Sequence, residues 1–327
     1  MAKTKSAPPV LSVVIPMRNE QDMIKLLFAR LLPVLDDIGD PYEIICVNDG
    51  STDETLPLLM ALHAQTPAIC IVDLSRSFGK EAALTSGIEH ARGEAVVVMD
   101  ADLQDPPELI RDFVSTWKTG FQVVYGARRS RDQDGFFKRF MAQKFYALFN
   151  HLSDTHIPPD AGDFRLMDRV AVDALLRLPE HSRFMKGMFA WVGFKQVGVP
   201  FDRPERPAGE TKWPFWSLFK FALDGIFSFS TVPLRVWTWV GATAAFLALI
   251  YALLLIVRTL IYGIDVPGYA SLMVVVLFFG GVQLISTGVL GEYIGRIYRD
   301  SKGRPLYIVN RTIGFDADVK AQKKGRT

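Results

Sequence analysis

A cytosolic α/β domain on a mostly parallel, Rossmann-like sheet, followed by amphipathic juxtamembrane helices and a two-helix transmembrane hairpin, is the fold this sequence predicts. Three observations predict it. Short Val- and Ile-rich runs alternate with helical patterns over the first half of the chain. Several of those runs stop in polar, acid-bearing turns. Two long apolar stretches, nearly free of charge, lie in the last third of the 327 residues.

Residues 1–9 are basic and proline-bearing, lack an apolar signal core and are expected to form a disordered tail. Leu11-Ser12-Val13-Val14-Ile15-Pro16 reads as a first buried strand, ended by proline. Arg18-Asn19-Glu20 follows, then a helix from about Gln21 to Leu35 with Ile24, Leu27, Phe28, Leu31 and Leu32 on its apolar stripe. The strand Glu43-Ile44-Ile45-Cys46-Val47 closes in Asn48-Asp49-Gly50-Ser51-Thr52-Asp53, an Asx-rich turn able to cap the next helix. A third strand, Ile69-Cys70-Ile71-Val72, leads through Ser75-Arg76-Ser77-Phe78-Gly79-Lys80 to a helix from about Glu81 to His90. Cys46 and Cys70, the only cysteines, sit in apolar runs and read as buried free thiols of a reducing cytosol.

The strand Glu94 to Met99 delivers Asp100-Ala101-Asp102-Leu103-Gln104-Asp105-Pro106-Pro107. Asp100 and Asp102 face alike if the strand persists, and the turn can bring Gln104 beside them. Hard oxygen donors so grouped suit Mg²⁺ or Mn²⁺, a metal that keeps positions open for phosphate oxygens. An acidic turn capping the following helix, with Pro106 in its first turn, is the plainer reading of the same residues. In such sheets ligands bind beyond the carboxyl ends of the strands, so Pro16–Glu20, Asn48–Asp53 and Asp100–Gln104 can share one cleft.

Trp237 to about Ile261 and Tyr269 to about Tyr293 are each long enough to span a bilayer core of ~30 Å. Lys212, Lys220 and Arg235 precede the pair, and Arg296, Arg299, Lys302 and Arg304 follow it, whereas the joining loop carries Asp265 and no Lys or Arg. The positive-inside rule therefore places both termini in the cytoplasm. Residues 136–150 and 213–235 combine basic residues with large aromatics, as helices lying in the headgroup layer do; core helices of a soluble domain are the alternative. The expected divisions are a domain over 10–212, spans within 236–293 and a cytosolic tail over 294–327. A net charge of +2 leaves no nucleic-acid footprint.

Val14-Ile15-Pro16-Met17-Arg18-Asn19-Glu20, the Asn48–Asp53 turn and the Asp100–Pro107 stretch resemble the family 2 inverting glycosyltransferases with a GT-A fold. Asp160-Ala161-Gly162-Asp163-Phe164-Arg165-Leu166-Met167 and Gly209-Glu210-Thr211-Lys212-Trp213 resemble the branch acting on polyprenyl phosphates, which includes dolichol-phosphate mannose synthase and the bactoprenol glucosyltransferases. The likeness runs from about Val10 to Pro305. Arg18 stands where many members have Tyr, and Thr211-Lys212-Trp213 replaces the commoner Ser-Lys-Tyr.

The resemblance implies a membrane enzyme that moves a hexose, with inversion, from a nucleotide sugar (UDP-glucose first) to undecaprenyl phosphate. N-acetylglucosamine, mannose and aminoarabinose donors are alternatives, and a tetramer is the oligomer it suggests. A processive polysaccharide synthase would carry a Gln-x-x-Arg-Trp motif and more spans; an inactive scaffold would not keep every acidic motif. Asp100, Asp102 and Gln104 are the candidates to hold Mg²⁺ or Mn²⁺ against the departing diphosphate, with Asp102 catalytic in that sense. Pro16, Arg18, Glu20, Asp49, Ser51 and Asp100 are implied to line the nucleotide-sugar pocket. Asp49 would accept from uracil N3–H or, more plainly, cap its turn. Arg128, Lys138, Arg139, Arg165 and Lys212 are candidate clamps for the lipid phosphate, against solvated or interfacial charges as the alternative. Asp163 is the candidate base or acceptor-positioning group, or a structural partner of Arg165.

Overall fold

A computed structural model of the chain describes residues 8–129, 161–180, 183–202, 230–263 and 268–315. The elements run β1 (Leu11–Met17), α1 (Gln21–Ile38), β2 (Tyr42–Asn48), α2 (Thr55–Gln65), β3 (Ile69–Leu74), α3 (Lys80–His90), β4 (Ala95–Val98), α4 (Leu109–Lys118) and β5 (Val123–Arg128). They continue with β6 (Ala161–Asp168), α5 (Arg169–Leu176), α6 (Met185–Trp191), β7 (Gln196–Phe201), α7 (Val232–Tyr262), α8 (Tyr269–Ser301) and β8 (Val309–Ile313). The expected amphipathic helices at 136–150 and 213–229 lie outside the described residues, as do residues 1–7, 264–267 and 316–327.

Eight strands form one sheet in the order β7-β5-β6-β4-β1-β2-β3-β8. The pairs β1–β2, β1–β4, β2–β3 and β5–β7 are parallel, whereas β3–β8, β4–β6 and β5–β6 are antiparallel. The mostly parallel expectation thus holds for the central strands, and β6 reverses direction beside β4. Alternation along each strand divides the core. Val13, Ile15, Ile44, Cys46 and Val97 pack with α1 and α4 on one face. Val14, Ile45, Val47, Val72 and Val98 pack with α3, α5 and α6 on the other. Strands covered on both faces read as unbroken apolar runs, which is how the sequence marks them.

Helix α3 lies very close to the sheet at Gly87, where an added Cβ would collide with the Val14 side chain. Gly87→Val is therefore expected to lower the unfolding midpoint by several degrees. Overpacking costs about 1–3 kcal/mol, and each kcal/mol shifts the midpoint by roughly 2–4 °C in a domain of this size. Thermal unfolding followed by circular dichroism checks it.

The two apolar helices are longer than their sequence limits. Helix α7 has 31 residues and α8 has 33, so at about 1.5 Å per residue each exceeds the ~30 Å bilayer core. Phe246, Leu249, Leu253, Leu254 and Leu260 on α7 and Leu272, Val274 and Leu284 on α8 are exposed, as lipid-facing side chains would be. Past Tyr293, α8 continues for two more turns, tied by the Glu292–Arg296 ion pair at 3.0 Å.

The region expected as a tail from residue 294 onward is not a tail over its described part. It finishes α8 and then returns to the sheet as β8, pairing antiparallel with β3 from Ile71–Ile313 to Leu74–Val309. The reason is the β3 edge, which would otherwise present a row of unpaired backbone groups. Tyr307 donates to Glu89, and Phe315 packs against His90 with ring centroids 5.4 Å apart, so the return is anchored at both ends.

Candidate active site

The loops that leave the carboxyl ends of β1, β2 and β3 are stitched into one rim. Asn19, held at φ +53°, donates its backbone N–H to Ser51 Oγ at 3.0 Å and accepts from the Thr52 N–H through Oδ1 at 2.9 Å. The Glu20 N–H donates to Thr55 Oγ1, and the Gln21 N–H to Asp53 Oδ2. Glu20 and Ser51 thereby lie along the rim, Arg18 is exposed, and Pro16 lies within β1 opposite Val47, so that the proline does not end the strand.

Asp49 makes the contacts of a capping residue. It is buried, and both carboxylate oxygens are taken by the loop before α3. Ser77 Oγ and the Gly79 N–H donate to Oδ2 at 2.9 and 3.0 Å, and the Phe78 N–H donates to Oδ1 at 2.6 Å. The turn-capping alternative describes this residue better, except that it caps a neighbouring loop. Gly50 makes the approach possible: its φ is +60°, and a Cβ there would strike the Ser77 backbone. One strand along, Asp73 accepts from Asn48 Nδ2 at 2.8 Å and from Asn310 Nδ2 and Arg311 Nε of the β8 strand at 3.0 and 3.2 Å. The returning strand thus braces the base of the same rim.

Beyond β4 the chain turns sharply at Leu103, a buried leucine at φ +56°. That turn sets Asp102 Oδ1 to accept from the Gln104 N–H at 3.1 Å, and Asp105 Oδ2 to accept from the Asp100 N–H at 3.3 Å. The antiparallel register of β4 with β6 pairs Val98 with Arg165. Two residues further along, that register sets Asp163 opposite Asp100. Between them sits Lys80, the first residue of α3. Its Nζ lies 2.7 Å from Asp100 Oδ1, 2.8 Å from Asp100 Oδ2 and 2.7 Å from Asp163 Oδ2.

Sequence reasoning assigned no role to Lys80. Its only signal was its position after Phe78-Gly79, where a strand–loop–helix passage reaches the ligand edge of the sheet.

Electrostatics follow from this packing. Burial alone would push the Asp163 carboxyl up, but Lys80, Lys186 and Arg165 outweigh it and hold the group well below the usual carboxylate range. Burial likewise opposes the charge on Lys80, and the two aspartates overcome it, keeping the ammonium firmly protonated. Behind the site, burial and the nearby Asp163 push Glu81 up to about 7; burial and Asp100 do the same to Asp105.

Arg165 also departs from expectation. It is buried, its Nη2 donates to the Gly162 carbonyl at 2.6 Å, and its guanidinium stacks 3.8 Å from the Phe189 ring centroid. Its charge supports Asp163 from the β6 side, closer to the structural alternative than to a phosphate clamp. Arg128 ends β5, in register with Phe201. Lys138, Arg139 and Lys212 lie outside the described residues.

The chemistry of the donors suits a divalent cation: Asp100 and Asp102 supply carboxylate oxygens from one turn, and Asp100 already holds a cation, the Lys80 ammonium. Among the described residues no group of three or more His, Cys, Asp or Glu encloses a metal position, so further ligands would come from phosphate oxygens and water.

The profile of glycosyl transferase family 2 matches residues 12–176, β1 through α5. The chain belongs to that family. A second profile, the GtrB C-terminal hairpin, matches residues 232–297 and so covers both apolar helices. Three relatives match nearly end to end. A glycosyltransferase of Synechocystis sp., described as uncharacterized, is 56% identical over 306 residues, 94% of this chain and 96% of its own. The prophage bactoprenol glucosyl transferase homolog of Escherichia coli is 44% identical over 301 residues, 92% of this chain and 98% of its own. The bactoprenol glucosyl transferase of Shigella phage SfV is 44% identical over 299 residues, 91% and 97% of the two chains. The enzyme is thus a family 2 glycosyltransferase, and its mixed α/β sheet is the GT-A-type fold anticipated from the motifs.

Proposed function

We propose that this glycosyltransferase moves glucose from UDP-glucose to a polyprenyl phosphate, undecaprenyl phosphate first, at the cytosolic face of a membrane, with inversion at the anomeric carbon. The observation that carries the reading is the meeting of Asp100 and Asp163 at one lysine. It brings the residue implied on the donor side within one ammonium of the residue implied on the acceptor side. The near end-to-end relatives named for bactoprenol glucosyl transfer support the acceptor.

Asp100 and Asp102 would hold Mg²⁺ or Mn²⁺, which when bound offsets the charge gathering on the departing diphosphate. Asn19, Ser51 and Asp49 fix the rim that receives the nucleotide, Asp49 through the loop it pins. A lipid phosphate has a second pKa near 6 by analogy with phosphoserine and is largely ionised at neutral pH. It needs positioning more than deprotonation. Asp163, anionic and set at the acceptor side, orients the incoming phosphate through its cationic neighbours Lys80 and Lys186 rather than by taking a proton. Arg128, with Lys138, Arg139 and Lys212, supplies the clamping charge.

The path of the chain supports a two-span topology. β7 precedes the hairpin, β8 follows it, and both belong to one sheet, so both flanks lie on the same side of a membrane. The Lys/Arg bias makes that side the cytoplasm.

Incubating the purified protein with undecaprenyl phosphate and a panel of labelled UDP- and GDP-sugars tests the reading. Label should enter the lipid from UDP-glucose; transfer from a different nucleotide sugar alone would overturn the donor, and none from any would overturn the reaction. The double variant Lys138→Gln/Arg139→Gln should raise KM for the lipid about ten- to hundred-fold, the worth of a charge-assisted contact, with donor affinity unchanged. Lipid titration at saturating donor measures it.

A further inference from the structure

Lys80 is placed unlike an ordinary ion-pair lysine. Its three N–H donors meet three oxygens, two from Asp100 and one from Asp163, so both Asp100 oxygens are committed to a single ammonium. The side chain is nonetheless about one-third exposed, at 36%, and reaches the site on a flexible stem from the first turn of α3. Gly79 before it stands at φ +96° and has open space around it. The lysine therefore grips the carboxylates without being locked in by packing.

Asp163 carries a second clue. One of its oxygens accepts from Lys80, while the other, Oδ1, is buried without a hydrogen-bond partner among the described residues. A buried carboxylate oxygen left bare is costly. It is also a place to which the Lys80 ammonium can move without leaving its second partner.

Resting on the metal-assisted reading above, we propose that Lys80 is a resident counter-ion. It pairs with Asp100 before the donor binds and shifts wholly onto Asp163 when the metal and a nucleoside diphosphate arrive together. Between the two carboxylates the ammonium offsets charges that would otherwise repel. Divalent cation alone must compete with a bound cation for the same oxygens, so it binds weakly. A diphosphate alters the balance by adding its own oxygens and negative charge. Lys80 on Asp163 then stands beside the acceptor position, charged and ready for a second anion. Loading of the donor side and preparation of the acceptor side become one event.

The probe is Mn²⁺, titrated by electron paramagnetic resonance into the full-length protein in detergent, with and without UDP. Lys80→Met should bind Mn²⁺ alone about ten-fold or more tightly than wild type, the worth of a lost charge-assisted bond. The gain in Mn²⁺ affinity on adding UDP should shrink by a similar factor, and Lys80→Arg should stay near wild type. A merely structural lysine would not tighten metal binding when removed. Should Lys80→Met fail to fold, Lys80→Gln, whose amide still donates to the carboxylates, carries the same comparison. Unchanged or weaker Mn²⁺ affinity in the folded neutral variant, with wild type binding Mn²⁺ normally, overturns this proposal alone. Absence of Mn²⁺ binding in every sample, with UDP-glucose still bound, overturns the metal reading and this proposal with it.

Discussion

Asp102→Ala is expected to reduce transfer by at least about 10²–10³-fold, the scale seen when a group that stabilises developing charge is removed. The folded structure should survive. Asp102 lies in a turn past the end of β4, where its Oδ1 accepts from the Gln104 N–H, and it is not one of the apolar side chains that make up either half of the core. Chelation with excess EDTA should silence the wild-type enzyme to a similar degree, and added Mg²⁺ or Mn²⁺ should restore wild type but not the variant. Turnover and the thermal midpoint measured on one preparation separate lost chemistry from lost structure. Full activity in chelator, or wild-type rates in Asp102→Ala, would remove the metal from the reaction.

Asp163→Asn should lower kcat by about 10²-fold or more, the scale on which misplacing a reacting group slows a reaction. Donor binding should weaken as well, because Lys80 loses the carboxylate charge onto which it shifts. The substitution preserves shape but removes the charge that faces Lys80, Lys186 and Arg165, leaving several cations around a neutral amide. A lipid phosphate in this variant meets too much positive charge in the wrong arrangement, so it would bind without being aligned. The signature is therefore a fall in kcat that exceeds any rise in the lipid KM. Donor affinity measured without lipid separates that loss from the loss of alignment. Wild-type kcat in Asp163→Asn would show that the carboxylate only braces β6.

The central strands were legible because each is buried on both faces and leads into a polar turn. Val96–Val98 stopping before the aspartates marks both the strand and the site, whereas β1 runs on through Pro16 to Met17, past the proline expected to end it. Lys80 was hidden for a different reason. Its meaning depends on register: β6 must run antiparallel to β4 before Asp163, 83 residues away, meets the same ammonium as Asp100. The partner of Asp49 was hidden because its motif shows an acid in a turn but not the loop that folds over it. The β8 strand was missed because Val309–Ile313 alternates only weakly and pairs with a strand about the length of the whole domain away. Local pattern specifies an element; it does not name a distant partner.

The placement of β8 imposes an order on synthesis. A ribosome delivers β1 to β7 first, then α7 and α8, and only afterwards the strand that covers β3. The catalytic half thus leaves the ribosome with an open edge, and that edge stays open until both apolar helices have been made. Closing it brings together residues as far apart as Asp73 and Arg311, 238 positions along the chain. With both helices spanning a membrane, as proposed, completion of the sheet would report that insertion has succeeded. A chain stalled in the translocation machinery would display the bare β3 edge to chaperones and proteases, and a finished one would not.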